Sequence, residues 1–168
     1  MAQTSDGESQ ALQGDDLRMI TYKEGCLIEG FKAGEVGAIA HQANCQNTMG
    51  SGVAKALRDA FPEIYEADCA TIKGDVDKLG SLSWTFNEHG MMFNLYGQFN
   101  YGYDGAHYTD LDALENSFKI MNLFLDAANV KAVGLPKLGA TRGGAKWEDV
   151  EALILRQLPD KDITVYIK

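Results

Sequence analysis

Apolar and polar positions change period several times along the chain, and each change marks an element. Residues 19–23 (Met-Ile-Thr-Tyr-Lys) alternate and are rich in β-formers, which predicts a first strand leaving through Glu24-Gly25-Cys26. Residues 27–34 hold two glycines and read as a short connection. Residues 36–41 are apolar on both faces, the pattern of a central strand covered by helices on either side. Val53, Leu57 and Phe61, with Ala54 beside them, lie along one helical face; Pro62 ends or bends that helix, and helical character resumes over 63–73. Residues 79–87 and 91–96 are two strands joined through Asn87-Glu88-His89-Gly90 as a tight hairpin. Leu111, Leu114, Phe118, Met121 and Leu125 repeat at helical spacing to about Ala128, behind a cap at Thr109 or Asp110, and are core positions rather than a cofactor-binding stripe. Residues 131–135 form another buried strand, 147–158 a helix with Val150, Leu153 and Ile154 inward, and 162–167 a closing strand.

Strands alternating with helices predict an α/β fold, a three-layer α/β/α sandwich around a mixed, largely parallel sheet. Two polar, glycine-bearing loops each follow a strand and feed a helix, so both belong at the carboxyl edge of the sheet, where open α/β folds bind ligands. The first runs through Asn44-Cys45-Gln46-Asn47-Thr48-Met49-Gly50-Ser51-Gly52, the second through Pro136-Lys137-Leu138-Gly139-Ala140-Thr141-Arg142-Gly143-Gly144-Ala145-Lys146. Such a turn offers backbone N–H groups and the positive end of a helix dipole to an anion. Either loop alone could be a plain tight turn; two in matched contexts suggest a cleft that holds a pyrophosphate. Two better-known phosphate loops are excluded. Gly50 and Gly52 begin a dinucleotide fingerprint, but Lys55 stands where its third glycine belongs; Gly139 and Gly144 have P-loop spacing, but Ala145 replaces the lysine.

The chain has 168 residues and a formal charge of −9, which argues against a broad basic surface for nucleic-acid backbone or anionic membrane. A small anion held by a few N–H groups and local cations remains compatible with that charge. Cys26, Cys45 and Cys69 include no CxxC and cannot all pair within the chain, so free thiols and a reducing, cytoplasmic setting are expected. His41, His89 and His107 are scattered, and neither a metal nor a cofactor is expected. No stretch has the length of a membrane span. Residues 1–18 lack periodicity and read as a disordered extension or an expression tag, with Met19 as the natural start and 19–168 as a single domain.

Candidate chemistry clusters around the first loop. His41 ends the central strand, where it could position water or move a proton, or serve only as a structural residue. Asn44, Gln46 and Asn47 could read ribose hydroxyls or cap turns. Lys137 and Arg142 are local cations for phosphate or solvated surface charges. Cys45 is expected to be a half-buried thiol rather than a nucleophile. The stretch 98–108, rich in aromatics and glycine, is too polar for a core strand.

Taken in order, the 19–22 start, the 41–54 loop, the aromatic glycine loop, Leu135-Pro136-Lys137-Leu138-Gly139 leading to Trp147-Glu148, and the closing Ile163-Thr164-Val165-Tyr166 resemble a macrodomain. The resembling branch holds terminal ADP-ribose glycohydrolases and the yeast-type ADP-ribose-1″-phosphate phosphatase. The resemblance implies an ADP-ribose site, with pyrophosphate between the loops and the distal ribose near Asn44 and residues 49–53. It implies ligand contacts from Gly50, Ser51, Gly52 and Val53, from Leu138, Gly139, Ala140, Thr141, Arg142, Gly143 and Gly144, and from an aromatic wall at Phe99 and Tyr101. It implies catalytic roles for His41 and Asn44. The chain departs from the family's pattern at three places: Cys26 where many relatives carry an adenine-reading Asp, Arg58 where glycohydrolases of the branch carry an attacking lysine, and Gly143 where they carry its acidic partner. A guanidinium cannot serve as that nucleophile. The implied partner is ADP-ribose or ADP-ribose-1″-phosphate, and the implied activity is a hydrolase releasing the terminal phosphate. The alternatives are a reader that binds ADP-ribose without turnover, or removal of ADP-ribose from protein or nucleic acid; no membrane or sequence-specific nucleic-acid partner is expected.

Overall fold

The computed structural model describes residues 20–102, 107–140 and 142–167. The 1–18 extension, the Met19 start, positions 103–106 of the aromatic loop and Thr141 lie outside the described residues. The chain runs β1 (Thr21–Glu24), α1 (Leu27–Lys32), β2 (Ala38–Ala43), α2 (Gly52–Ala60), α3 (Pro62–Cys69), β3 (Leu82–Asn87), β4 (Gly90–Tyr96), α4 (Leu111–Ala127), β5 (Ala132–Leu135), α5 (Trp147–Gln157) and β6 (Asp162–Ile167). The six strands form one sheet in the order β1-β6-β5-β2-β4-β3. Neighbours are parallel except the hairpin pair β3 and β4, where Asn87 lies opposite Gly90.

One expected connection is a helix. Residues 27–32 form α1, which turns Leu27, Gly30 and Phe31 inward at three-four spacing. Gly30 hid the helix, because glycine is a poor helix former. Its role is close approach: a Cβ there would lie 2.5 Å from the Tyr166 hydroxyl on β6. Proline at the start of α3 acts as a helix initiator directly behind the end of α2.

The sheet separates two apolar layers. Ala38, Ala40, Phe93, Leu95, Val133 and Leu135 pack with Leu114 and Phe118 of α4 and Leu153 and Ile154 of α5. Ile39 and Met92 face the other way, onto Phe31, Leu57, Phe61 and Ile64 of α1 to α3. Alternation along β2 then carries His41 to that second layer, opposite Asn94 in register. The His41 ring meets Asn94 Oδ1 at 2.6 Å, while Asn94 Nδ2 donates to the Ile64 carbonyl and the Ser83 hydroxyl. Since Asn94 presents its oxygen, His41 Nε2 is the donor. Full burial outweighs this bond and lowers the imidazole pKa from 6.5 to about 4.

A second set of side chains, the buried Thr109 and the half-buried Gln42 and Gln98, supports the β5–α5 connection. Gln42 Nε2 donates to Gln98 Oε1 (2.6 Å) and Thr109 Oγ1 (2.9 Å), and Thr109 Oγ1 donates to the Gly139 carbonyl (2.8 Å). The Gly143 carbonyl accepts from the N–H groups of both Tyr108 and Thr109. Thr109 is therefore spent on this connection, and Asp110 caps α4 by accepting from Ala113 N–H. A Cβ at Gly143 would fall 2.0 Å from Thr109 Oγ1 and 2.6 Å from the Gly139 carbonyl, so there is no room for a side chain.

Gly143→Ala is expected to lower unfolding free energy by about 1–3 kcal/mol through overpacking, whereas Gly50→Ala, with nothing within 4 Å of its Cβ, should change it by less than about 0.5 kcal/mol. Urea unfolding of both variants checks the contrast. The buried His41 also makes stability depend on pH. The unfolded chain binds the His41 proton first, so this contribution is complete above pH 6.5 and is lost as pH falls toward 4, a change of about 3 kcal/mol. Asp68, whose carboxyl burial pushes up, acts in the opposite direction, and Glu115, held at about 2 by Arg156, acts at lower pH. The readout is therefore the difference between wild type and His41→Gln: the wild-type curve should fall more steeply from pH 7 to 4, and parallel curves would contradict the assignment.

Candidate functional site

The first loop leaves β2 at Ala43 and is built by side-chain amides. Asn44 Oδ1 accepts from Gln46 N–H at 2.8 Å, and its Nδ2 donates to Thr48 Oγ1 at 2.9 Å, so both amide atoms shape the turn. Asn47 takes a left-handed conformation, φ 56°, one that Asn tolerates better than most residues. It is clamped from below: Nδ2 donates to the Thr71 carbonyl, and the buried Lys78 ammonium donates to Asn47 Oδ1 and Thr71 Oγ1, each at 2.6 Å. The segment 98–99 supplies a further strut, with Cys45 N–H and Gln46 Nε2 both donating to the Phe99 carbonyl. Burial pushes the Cys45 thiol pKa up, which suits an inert packing residue. The loop ends at Ser51 and Gly52, where α2 begins without a side-chain cap bond.

The second loop leaves β5 through a tight turn, Leu138 N–H to the Pro136 carbonyl. Leu138 is anchored in the α4/α5 layer, and Gly139 adopts φ 78° over Gln42 and Leu114. Arg142 reaches across to the first loop, its Nη1 donating to Ser51 Oγ at 3.3 Å.

Between the loops lies a cleft of about 550 Å³. Gln42, Ala43, Asn44 and residues 48–54 form one side, residues 136–139 with Arg142 and Gly143 the other; Gln98, Tyr101 and Gly102 add the aromatic segment, and Arg58 and Tyr65 add α2 and α3. Its charged lining consists of Arg58, Lys137 and Arg142; among the described residues no Asp, Glu, His or Cys faces it. In a chain of charge −9 this is a local cationic hollow.

The sequence candidates divide accordingly. Asn44, Gly50, Ser51, Gly52, Val53, Tyr101, Leu138, Gly139, Arg142 and Gly143 meet at the cleft. His41 does not: it is sealed between the sheet and α3 against Asn94, away from the cleft walls, and proton transfer at the cleft is not available to it from there. Phe99 contributes its carbonyl as a strut and packs its ring on Ala43, Cys45 and Tyr96 rather than lining the cleft. Ala140 and Gly144 also lie off the lining, and Thr141 lies outside the described residues. Cys26 precedes α1 and is likewise not on the cleft wall. Sequence reasoning missed Gln42, Tyr65, Gln98 and the support from Thr109. A glutamine next to the end of an otherwise apolar strand was the one available signal, since a polar side chain withdrawn from water needs partners.

No family model matches the chain. An uncharacterized 17.5 kDa protein of Enterobacteria phage T4 is 38% identical over 142 residues, covering 81% of this chain and 88% of the phage protein. The DNA ADP-ribosyl glycohydrolase of Mycobacterium tuberculosis is 29% identical over 159 residues, 88% of this chain; the chain spans only 42% of that protein's length. Among solved structures, the macrodomain of Thermus aquaticus DarG superposes with a TM-score of 0.71 at 23% identity, covering 89% of this chain and 99% of that one. A macrodomain protein from Streptomyces coelicolor gives 0.66 at 21% identity over 89% and 99%. Thermosipho africanus DarTG, solved in complex with ADP-ribose, gives 0.69 at 16% identity over 90% of this chain and 42% of that one. At such identities the structures speak for the fold, and they share it over about nine-tenths of this chain. The chain therefore has the macrodomain fold, over about nine-tenths of its length.

Proposed function

We propose that residues 19–168 act as one macrodomain that binds ADP-ribose in the cleft and hydrolyses ADP-ribose-1″-phosphate to ADP-ribose and phosphate. The observation that carries the reading is the hollow between the two glycine loops, lined by Arg58, Lys137 and Arg142 and by no carboxylate among the described residues. A pyrophosphate there would take backbone N–H groups from the start of α2 and from the second loop, with Arg142 already spanning both. Gly50, which has open space around its Cα, lets the ligand approach the backbone closely. Tyr101 would flank the ligand.

Phosphoryl transfer suits a site of this composition. Its transition state spreads charge over the departing phosphoryl oxygens, and positioning with electrostatic stabilisation does most of the work. Water supplies the new oxygen, and its protons leave with phosphate and ribose hydroxyl. In this reading Asn44 holds the loop that positions the distal ribose, since both its amide atoms are engaged there. His41 holds the floor of the fold rather than the proton.

A second reading is favoured by one observation, the 29% identity to DNA ADP-ribosyl glycohydrolases over 88% of the chain: removal of ADP-ribose from nucleic acid. With Arg58 in the family's lysine position, attack would fall to water. A phosphorus NMR time course decides among the readings. With ADP-ribose-1″-phosphate, free phosphate should appear at a catalytic rate while the pyrophosphate signals persist. Turnover of an ADP-ribosylated oligonucleotide instead would support the second reading, and shifted pyrophosphate signals without turnover of either would leave a reader of ADP-ribose. Arg142→Ala is expected to weaken ADP-ribose binding about tenfold, the worth of one charge-assisted hydrogen bond; calorimetric titration measures it, and unchanged affinity would remove Arg142 from the ligand site.

A further inference from the structure

The cleft has a second cationic point, away from the place where the loops meet. Arg58 lies in the last turn of α2, with its guanidinium carbon 4.1 Å from the centre of the Tyr65 ring on α3. Both side chains line the cleft. The Tyr65 hydroxyl reaches the Asn47 carbonyl at 3.4 Å, so the ring that carries the guanidinium is tied to the first loop. Among the described residues no carboxylate lies within ion-pair distance of Arg58. A guanidinium seated over an aromatic face keeps N–H groups available to an oxyanion.

Position along α2 gives the spacing. From the start of α2 beside Ser51, where Arg142 makes its contact, to Arg58 in the last turn is about 9 Å along the helix axis. The cleft therefore offers two anion-holding points: one at the start of α2 between the loops, and one at its end on the Tyr65 platform. A ligand with a pyrophosphate and nothing else anionic occupies the first and leaves the second to water.

We infer that Arg58, held by Tyr65, is a specificity-determining residue that binds a phosphate carried on the ribose distal to the pyrophosphate, so that the cleft selects ADP-ribose bearing a terminal phosphate over ADP-ribose itself. This rests on the ADP-ribose reading of the cleft and deepens it. The side chain often treated as a conservative exchange, Arg58→Lys, keeps the charge but loses the stacked, two-pronged geometry. Tyr65→Leu keeps the guanidinium and removes its platform.

The test is a calorimetric comparison of two ligands, ADP-ribose and its 1″-methylenephosphonate analogue, which cannot lose phosphate. Wild type should bind the phosphonate about tenfold or more tightly than ADP-ribose. That preference should fall below about threefold in Arg58→Gln and take intermediate values in Arg58→Lys and Tyr65→Leu. Arg58 is exposed and Tyr65 half-buried, so folding of the variants can be verified by thermal melts. Binding of both ligands with no phosphonate preference in wild type, or a preference unchanged in Arg58→Gln, would overturn the inference while leaving the ADP-ribose reading intact. Binding of neither ligand by wild type would overturn both.

Discussion

The architecture of this site depends on hydrogen bonds that run from the sheet to the undersides of two loops. A loop that presents N–H groups to a ligand cannot also spend them in regular structure, so its shape must be held from elsewhere. Here Gln42 and Thr109 hold the second loop through the Gly139 carbonyl, and Lys78 and Thr71 hold the first through Asn47. These are buried or half-buried polar groups, strong where satisfied and expensive where orphaned. The same struts explain the small residues above them. Gly143 has no room for a side chain, because the Thr109 hydroxyl fills the space.

Charge is divided in a way that the total conceals. The chain is strongly acidic, yet the charged residues among the described cleft lining are all cations. Long-range repulsion of an anion by the outer surface is screened within about 8–10 Å at physiological salt, whereas charges in a concave, partly desolvated site are screened much less. A local cluster can therefore outweigh a distant excess. Some carboxylates answer cations outside the cleft, as Asp59 does Lys55 and Glu115 does Arg156.

Periodicity made the layers readable because each strand and long helix must bury its own stripe. The α4 stripe of Leu114, Phe118, Met121 and Leu125 is fully buried, and the hairpin turned where Asn87 and Gly90 allow it. What periodicity could not give was parity. A strand apolar on both faces does not reveal which of its polar neighbours points to the ligand side, and His41 went to the closed layer while Gln42 went to the cleft. Phe99 shows the same limit, since an aromatic residue in a loop can turn inward to cover Tyr96. Arg58 and Tyr65 belong to separate helices, and only the bend at Pro62 stacks them. The short α1 was hidden by a glycine whose value lies in contact with a strand distant in sequence.

The central claim is that the two loops form one ligand cradle. Amide chemical-shift mapping with ADP-ribose tests it directly. The account predicts that the largest shifts fall on the backbone N–H groups of residues 50–54 and 139–144, in both stretches together and saturating at a common ligand concentration. Shifts confined to one loop, or centred on another face of the sheet, would contradict it.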